Sequence, residues 1–334
     1  MVHGKKVFLF RVQKYIFSVS ANSFEPFVFR VSFLIFVKDN AHKGKELFFY
    51  FNYAFMKNVI RSIKIRNLWN KYDFLWEDLN PDVNILIGIN GSGKTTLFNI
   101  IDSVLRADVK RLKNYGVSVE IAIDDYVVKY NTKTTVAELK TFLLRLKYQK
   151  ISTFDVPLRD RPKAGKEFSQ LYSELHSIVY DIGGENPSFS DYRLKATNFP
   201  EQAVLINDRI RKLFGTVDRL FAKTEKVIEI DPHTNHLIFK DNGEVIPLFK
   251  LSSGEKQLLL ILLKVFLMEE KPYILLMDEP EISLHIEWQY RLFEEIRLLN
   301  PNCQIITSTH SPSLFGDGWG DKLVFVEELV KAKE

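Results

Sequence analysis

From residue 58 onward the chain switches between two hydrophobic periods. NVIRSIKIRNLW (58 to 69) alternates apolar and polar positions and is β-branched, which predicts a strand. DVNILIG (82 to 88) is a short continuous apolar run, the pattern of a parallel strand covered on both faces. Between Lys94 and Leu105 the residues Leu97, Phe98, Ile100, Ile101, Val104 and Leu105 recur at helical spacing. VSVEIAI (117 to 123) and YVVKYN (126 to 131), parted by Asp124 and Asp125, predict a hairpin. A helix over 136 to 148 and a strand over KISTFDVP (150 to 157) follow. Residues 159 to 225 are polar and predict a helical lobe in two pieces, separated by the turn-rich GGENPSFSD (183 to 191). VIEIDPHTNHLIF (227 to 239) predicts a second hairpin, closed by a tight turn at KDNGE. From Lys250 the segments GEKQLLLILLKVFL, YILLM (273 to 277), LHIEWQYRLFEEIRLL and CQIIT (303 to 307) alternate helix, strand, helix, strand. That alternation predicts an α/β fold, its sheet covered by helices, with a small antiparallel β region and a helical lobe beside it.

Composition changes this picture at one end. The 334 residues carry 46 Lys and Arg against 42 Asp and Glu, a formal charge of +4. Residues 1 to 55 hold 8 Lys/Arg and 3 Asp/Glu, leaving 38 against 39 for the remainder, and they also hold 12 of the 27 phenylalanines. The basic excess thus belongs to a Phe-rich segment, and the α/β part is nearly neutral. One cysteine, Cys303, excludes an internal disulfide framework and suits a reducing cytosol. The run from Phe27 to Val37 is broken by Arg30 and is too short to span a membrane. The expectation is a soluble, cytoplasmic protein.

Three segments carry chemistry. Gly88-Ile89-Asn90-Gly91-Ser92-Gly93-Lys94-Thr95 satisfies G-x-x-x-x-G-K-[ST] between a predicted strand and a predicted helix. Glycines let the backbone curve so that N–H groups converge on phosphate oxygens, and the helix N-terminus adds its positive dipole end. Gly88, Asn90, Gly91, Ser92, Gly93, Lys94, Thr95 and Thr96 are the candidate phosphate contacts, with Lys94 reaching the β- and γ-phosphates and Thr95 a candidate Mg²⁺ ligand. Tyr273-Ile274-Leu275-Leu276-Met277-Asp278-Glu279 is an apolar strand ending in two carboxylates. Asp278 suits the metal ion there, and Glu279 suits the attacking water. Leu251-Ser252-Ser253-Gly254-Glu255-Lys256-Gln257 opens an apolar helix: it reads either as a plain N-cap or as a second anion site formed by Ser252, Ser253 and Gly254.

In this order the three segments resemble the ATP-binding cassette ATPases, as Walker A, signature and Walker B, over about residues 58 to 327. The resemblance implies a P-loop NTPase fold with a mixed sheet flanked by helices, ATP and Mg²⁺ as ligands, and His310 of TSTHSP as the switch histidine that senses the γ-phosphate. It implies a homodimer closed head to tail around two ATP molecules, each site completed by the other subunit's signature. An aromatic ring is expected against the base, with Tyr72 the first candidate beside Trp69 and Phe74. Gln149 is the candidate glutamine joining the metal to the helical lobe. The chain departs from transporters in having Ser253 and Glu255 in the signature and His285 where their D-loop has aspartate. Asp-Glu-Pro-Glu, SLH and THSP look like the OLD, RecF and SMC-like group, above all the stand-alone, AbiEii-like AAA ATPases of bacterial phage defence.

That group implies a separately encoded effector, a nuclease or toxin, and contact with DNA or RNA. Arg106, Lys110, Arg111 and Lys113, and Arg159, Arg161, Lys163 and Lys166, are the basic clusters that could meet nucleic acid. A transporter subunit and a nucleotide-gated scaffold with little turnover remain the alternatives. The ATPase segment is complete from about Asn58, so residues 1 to 55 are expected to be either a mis-assigned start, with Met56 the natural one, or a partner-binding extension.

Overall fold

In the computed structural model the apolar runs of the second half of the chain pair side by side and point the same way. The structure describes strands β1 (Val7–Val12), β2 (Tyr15–Ser20), β3 (Phe29–Val37) and β4 (Lys45–Tyr53), then residues 57–144, 146–152, 169–184, 186–316 and 318–333. The chain divides into two units, Met1–Lys57 and Asn58–Glu334. In the first, β1 to β4 form an antiparallel meander in sequence order. Met56 and the basic cluster from Arg159 to Lys166 lie outside the described residues.

The second unit runs β5 (Ile60–Leu68), β6 (Tyr72–Trp76), β7 (Val83–Ile87), α1 (Lys94–Leu105), α2 (Val109–Tyr115), β8 (Ser118–Ile123), β9 (Tyr126–Tyr130), α3 (Val136–Leu143) and β10 (Tyr148–Ser152). It continues α4 (Gln170–Tyr180), α5 (Phe189–Asn198), α6 (Ala203–Phe221), β11 (Lys226–Ile230), β12 (Leu237–Asp241), β13 (Glu244–Ile246), α7 (Ser253–Phe266) and β14 (Tyr273–Asp278). Last come α8 (Ile286–Leu299), β15 (Cys303–Ser308), β16 (Leu323–Phe325), α9 (Val326–Leu329) and β17 (Val330–Ala332). Parallel and antiparallel strands occupy separate sheets. One is parallel, in the order β10-β14-β15-β7-β16; one is antiparallel, β17-β6-β5-β8-β9; and β11-β12-β13 form a third, also antiparallel.

The parallel sheet is buried on both faces, which is why its strands read as apolar runs without alternation. Leu275, Met277, Cys303 and Ile305 belong to a core shared with α4 to α8; Ile274, Leu276 and Ile306 belong to one shared with α1 and the antiparallel sheet. No helix among the described residues is long and apolar enough to cross a membrane.

Three expectations shift. The helix over 136 to 148 ends at Leu143, and the strand begins at Tyr148, because Tyr148 to Ile151 pair with Ile274 to Met277. The helical lobe has three described helices where two pieces were expected. Pro200 imposes the extra break, since the residue before a proline is pushed out of helical geometry, and Phe199 has φ −131° and ψ 77°. The strand from residue 58 turns back at Asn67, Trp69 and Asn70, all at positive φ, into the unforeseen β6.

Gln304 joins two sheets. Buried on β15, its carbonyl accepts the Ile60 N–H at 2.7 Å, and its amide donates to the carbonyls of Ile60 (2.9 Å) and Asn80 (2.7 Å). Gln304→Leu removes these partners from the buried Ile60 N–H and carbonyl, while the Asn80 carbonyl keeps the Asn84 amide at 2.8 Å, and should cost about 2–3 kcal/mol in urea unfolding, at about 1 to 3 kcal/mol per orphaned group.

Candidate functional site

Parallel pairing decides which residues emerge together. Leu86, Ser308 and Asp278 stand abreast on β7, β15 and β14, so the chain leaves the sheet at one level in all three places. The carboxyl edge of a parallel sheet is where α/β proteins bind ligands.

After β7, residues 88 to 93 curve into α1. Gly91 and Gly93 have φ +82° and +95°, the left-handed region that glycine enters without strain. Gly93 caps α1 without any side-chain hydrogen bond, so the first-turn N–H groups of α1 have no competing side-chain acceptor. The contrast is α7, where Ser252 and Glu255 form a reciprocal capping box: the Ser252 Oγ accepts the Glu255 N–H at 3.2 Å, and the Glu255 carboxylate accepts the Ser252 N–H at 2.9 Å.

Lys94 is 4% exposed, and its ammonium donates to the carbonyls of Gly88 (3.0 Å) and Ile89 (3.2 Å). Burial pulls its pKa below the ordinary lysine value, while Glu279, Glu327, Asp278 and Glu281 act the other way. Thr95 is exposed and Thr96 half-buried. Asn90 is exposed on the loop, whereas the Ser92 Oγ is buried without a hydrogen-bond partner.

Asp278 is buried and accepts the Ser308 hydroxyl. Glu279 has φ +51°, a conformation that costs a non-glycine residue roughly 1–2 kcal/mol. Its N–H is held by the Ser308 carbonyl at 3.0 Å and hydroxyl at 3.2 Å, which fixes that conformation. The Glu279 carboxylate lies 3.3 Å from the His310 Nε2. The fold thus sets side by side two residues, both expected at the attacking water, that lie on different strand ends.

Not every expected residue joins them. Gln149 pairs with Leu275, three residues before Asp278 on the neighbouring strand, which sets it about 10 Å below the edge, at about 3.3 Å per residue. Its amide donates to the Lys150 carbonyl at 3.2 Å. The ring against the loop is Trp69, not Tyr72: a Cβ added at Gly93 would lie 2.2 Å from the indole. Tyr72 meets Trp69 edge-on at 6.3 Å, and Phe74 is core. Ser252 and Ser253 are exposed, while Gly254 is buried against the Ser283 carbonyl, 2.3 Å from where a Cβ would stand.

Two carboxylates escaped the sequence reading. The Glu327 carboxylate accepts the Ile89 N–H at 3.3 Å, yet nothing in its sequence surroundings distinguishes it. Glu281, noticed only as part of Asp-Glu-Pro-Glu, accepts the Thr309 hydroxyl at 2.6 Å and the His310 N–H at 2.9 Å. In the first basic cluster, Arg106 and Arg111 both face the buried Asp102, at 2.9 and 3.8 Å.

The arrangement suits a nucleoside triphosphate with Mg²⁺. Among the described residues no group of three His, Cys, Asp or Glu side chains could hold a metal alone. Mg²⁺ characteristically takes one or two protein oxygens plus substrate phosphates, and Thr95 and Asp278 are donors of that kind.

The chain matches the profile of the family described as "AAA domain, putative AbiEii toxin, Type IV TA system" over residues 117–316, a span that includes the signature, Walker B and His310 and begins after the phosphate loop. The "Retron Vc95 probable ATPase" of Vibrio cholerae serotype O1 biovar El Tor is 30% identical over 141 residues. That is 38% of this chain and 26% of the relative, so the match spans about a quarter of that protein. The "Septu protein PtuA" of Bacillus thuringiensis is 24% identical over 301 residues, 77% of this chain and 72% of the relative. Among solved structures, an SMC head bound to the C-terminal winged-helix domain of ScpA has a TM-score of 0.48 at 14% identity. The SMC head domain from Thermotoga maritima has 0.46 at 16%; each comparison covers 77% of this chain and 91% of the other.

The glycine geometry yields a paired test. Gly254→Ala drives a methyl into the Ser283 carbonyl and should destabilise by about 1–3 kcal/mol. Gly215→Ala in α6 meets open space and should stabilise by about 0.5–1 kcal/mol, both read by urea unfolding.

Proposed function

Because the chain belongs to this AAA-domain family, we propose that it binds ATP with Mg²⁺ and hydrolyses it at the carboxyl edge of the parallel sheet. The observation that carries the reading is the Glu279–His310 pair, 3.3 Å apart and just beyond the level of Asp278 and Ser308, beside a phosphate loop whose helix has no side-chain cap. In this reading the N–H groups of Gly88 and of Asn90 to Thr96 receive the phosphates, and Lys94 turns from the Gly88 and Ile89 carbonyls to the β- and γ-phosphates. Thr95 and Asp278 would hold Mg²⁺, which when bound supplies neutralisation of the phosphate charge. Glu279 orients the attacking water and takes its proton, and His310 faces the γ-phosphate from the end of the neighbouring strand β15. Trp69, already against Gly93, takes the base-facing role expected of Tyr72, and Gln149 has no part in it.

Two copies would close head to tail, each phosphate loop meeting the other's Ser252, Ser253 and Gly254. The exposure of the two serines supports this, and the capping box leaves the Ser252 hydroxyl proton free to donate. A role in phage defence, gating a separately encoded effector, is supported by the retron and Septu names of the two relatives. Nucleic acid is a less supported partner, since Arg106 and Arg111 face Asp102.

Glu279→Gln should keep nucleotide affinity, lower turnover by about a hundredfold or more, and accumulate an ATP-dependent dimer in light scattering. Unchanged phosphate release in that variant would remove Glu279 from its role.

A further inference from the structure

Strands β14 and β15 are held in register only as far as Asp278 and Ser308. Beyond that level the Ser308 bonds hold the Glu279 backbone but not the loop carrying His310, and another contact must keep a carboxylate and an imidazole 3.3 Å apart. We propose that Glu281 is the positioning residue that does this, buckling the His310 loop onto the segment that follows Walker B. The proposal rests on the reading above, in which Glu279 and His310 act on ATP.

The Glu281 Oε1 accepts two donors from consecutive residues of the facing loop, the Thr309 hydroxyl at 2.6 Å and the His310 N–H at 2.9 Å. Two donors on one oxygen fix both the loop's height and its rotation, which a single bond would leave free. Thr309 is buried, and its N–H reaches the Leu86 carbonyl at 3.2 Å, so the buckle is fastened to the strand that leads into the phosphate loop. The network then closes on itself. The Thr309 Oγ1 accepts the Ser311 N–H at 2.9 Å, and the Ser311 hydroxyl donates to the Gln289 Oε1 at 2.6 Å. The Gln289 amide donates to the Leu284 carbonyl at 2.9 Å and the Glu281 carbonyl at 3.5 Å. His310 is therefore carried by a hydrogen-bonded ring that begins and ends at residue 281.

Chemistry at this position identifies what matters. The second oxygen, Oε2, is buried without a hydrogen-bond partner, so both structural bonds belong to Oε1. A glutamine retains that acceptor, while alanine removes it. Glu281 makes none of these contacts to the reacting atoms, so it should act on turnover through His310 and leave nucleotide affinity alone.

The test combines Glu281→Ala, Glu281→Gln and Thr309→Val in the full chain. Steady-state phosphate release gives turnover, a non-hydrolysable ATP analogue with Mg²⁺ gives affinity, and the imidazole Cε1–H cross-peak of His310 gives ring position by NMR. Glu281→Ala should lose on the order of tenfold or more in kcat, the penalty of a misplaced catalytic group, with analogue affinity within about twofold. Glu281→Gln should restore both turnover and the wild-type cross-peak, and Thr309→Val, which keeps the carboxylate, should lower kcat with the same split. Wild-type turnover in Glu281→Ala, an equal loss of affinity, or a glutamine variant as impaired as alanine would each overturn the proposal. If Glu281→Ala does not fold, Thr309→Val decides by the same criteria. If the wild type releases no phosphate, the ATPase reading fails by itself. The cross-peak still judges Glu281, because it must move in the alanine and Thr309→Val variants and stay in place with glutamine.

Discussion

Ser308 is the residue around which the candidate site is arranged. It ends β15 between β7 and β14, and three of its bonds reach the candidate site: its hydroxyl donates to Asp278, and its hydroxyl and carbonyl both accept the Glu279 N–H. This contact converts a general property of parallel sheets, strands ending at one level, into a defined placement of two carboxylates. Without it Glu279 has no reason to hold a left-handed backbone. The conformation also turns the following chain sharply, so that Glu281 and Ser283 reach the His310 loop and the start of α7 from one short segment.

Much of this was legible in the sequence because each signal was local. Apolar run, glycine loop and helical period follow one another within 83 to 105, and strand plus carboxylates within 273 to 279, so pattern sufficed to locate them. What escaped depended on tertiary contact. Tyr72 and Trp69 are equally aromatic and nearly equidistant from Lys94 along the chain. Only the positive-φ turn at Asn67 to Asn70 decides that the indole lands on Gly93. Gln149 lies on the expected strand, but its level is set by the register of β10 on β14, which no single sequence reveals. Glu327 is an ordinary surface acid until β16 pairs with β7 and delivers it to the loop.

The signature shows how a bland and a sharp reading can both hold in one turn. Ser252 caps its own helix, as any serine before an apolar helix is expected to do. Yet a cap needs no glycine two residues later, and Gly254 is demanded by the Ser283 carbonyl. The helix start is thus locked to the segment after Walker B, and an N-cap serves as one end of a rigid connection. Lys226, 2.6 Å from Glu255, ties the same turn to the three-stranded sheet.

Electrostatics around Lys94 gives the ligand chemistry a further constraint. One buried ammonium sits in the field of four carboxylates, those of Glu279, Glu327, Asp278 and Glu281. In the proposed reading a triphosphate brought to Lys94 is also repelled by those carboxylates, by Glu281 least of the four, against the attraction of the ammonium and of the loop's N–H groups. A divalent cation held by Asp278, the most buried of the four, would weaken that repulsion. The acidity around the loop would thus make nucleotide binding depend on the metal. In the proposed reading, that dependence comes from the fold's own charges, set by where the strands end.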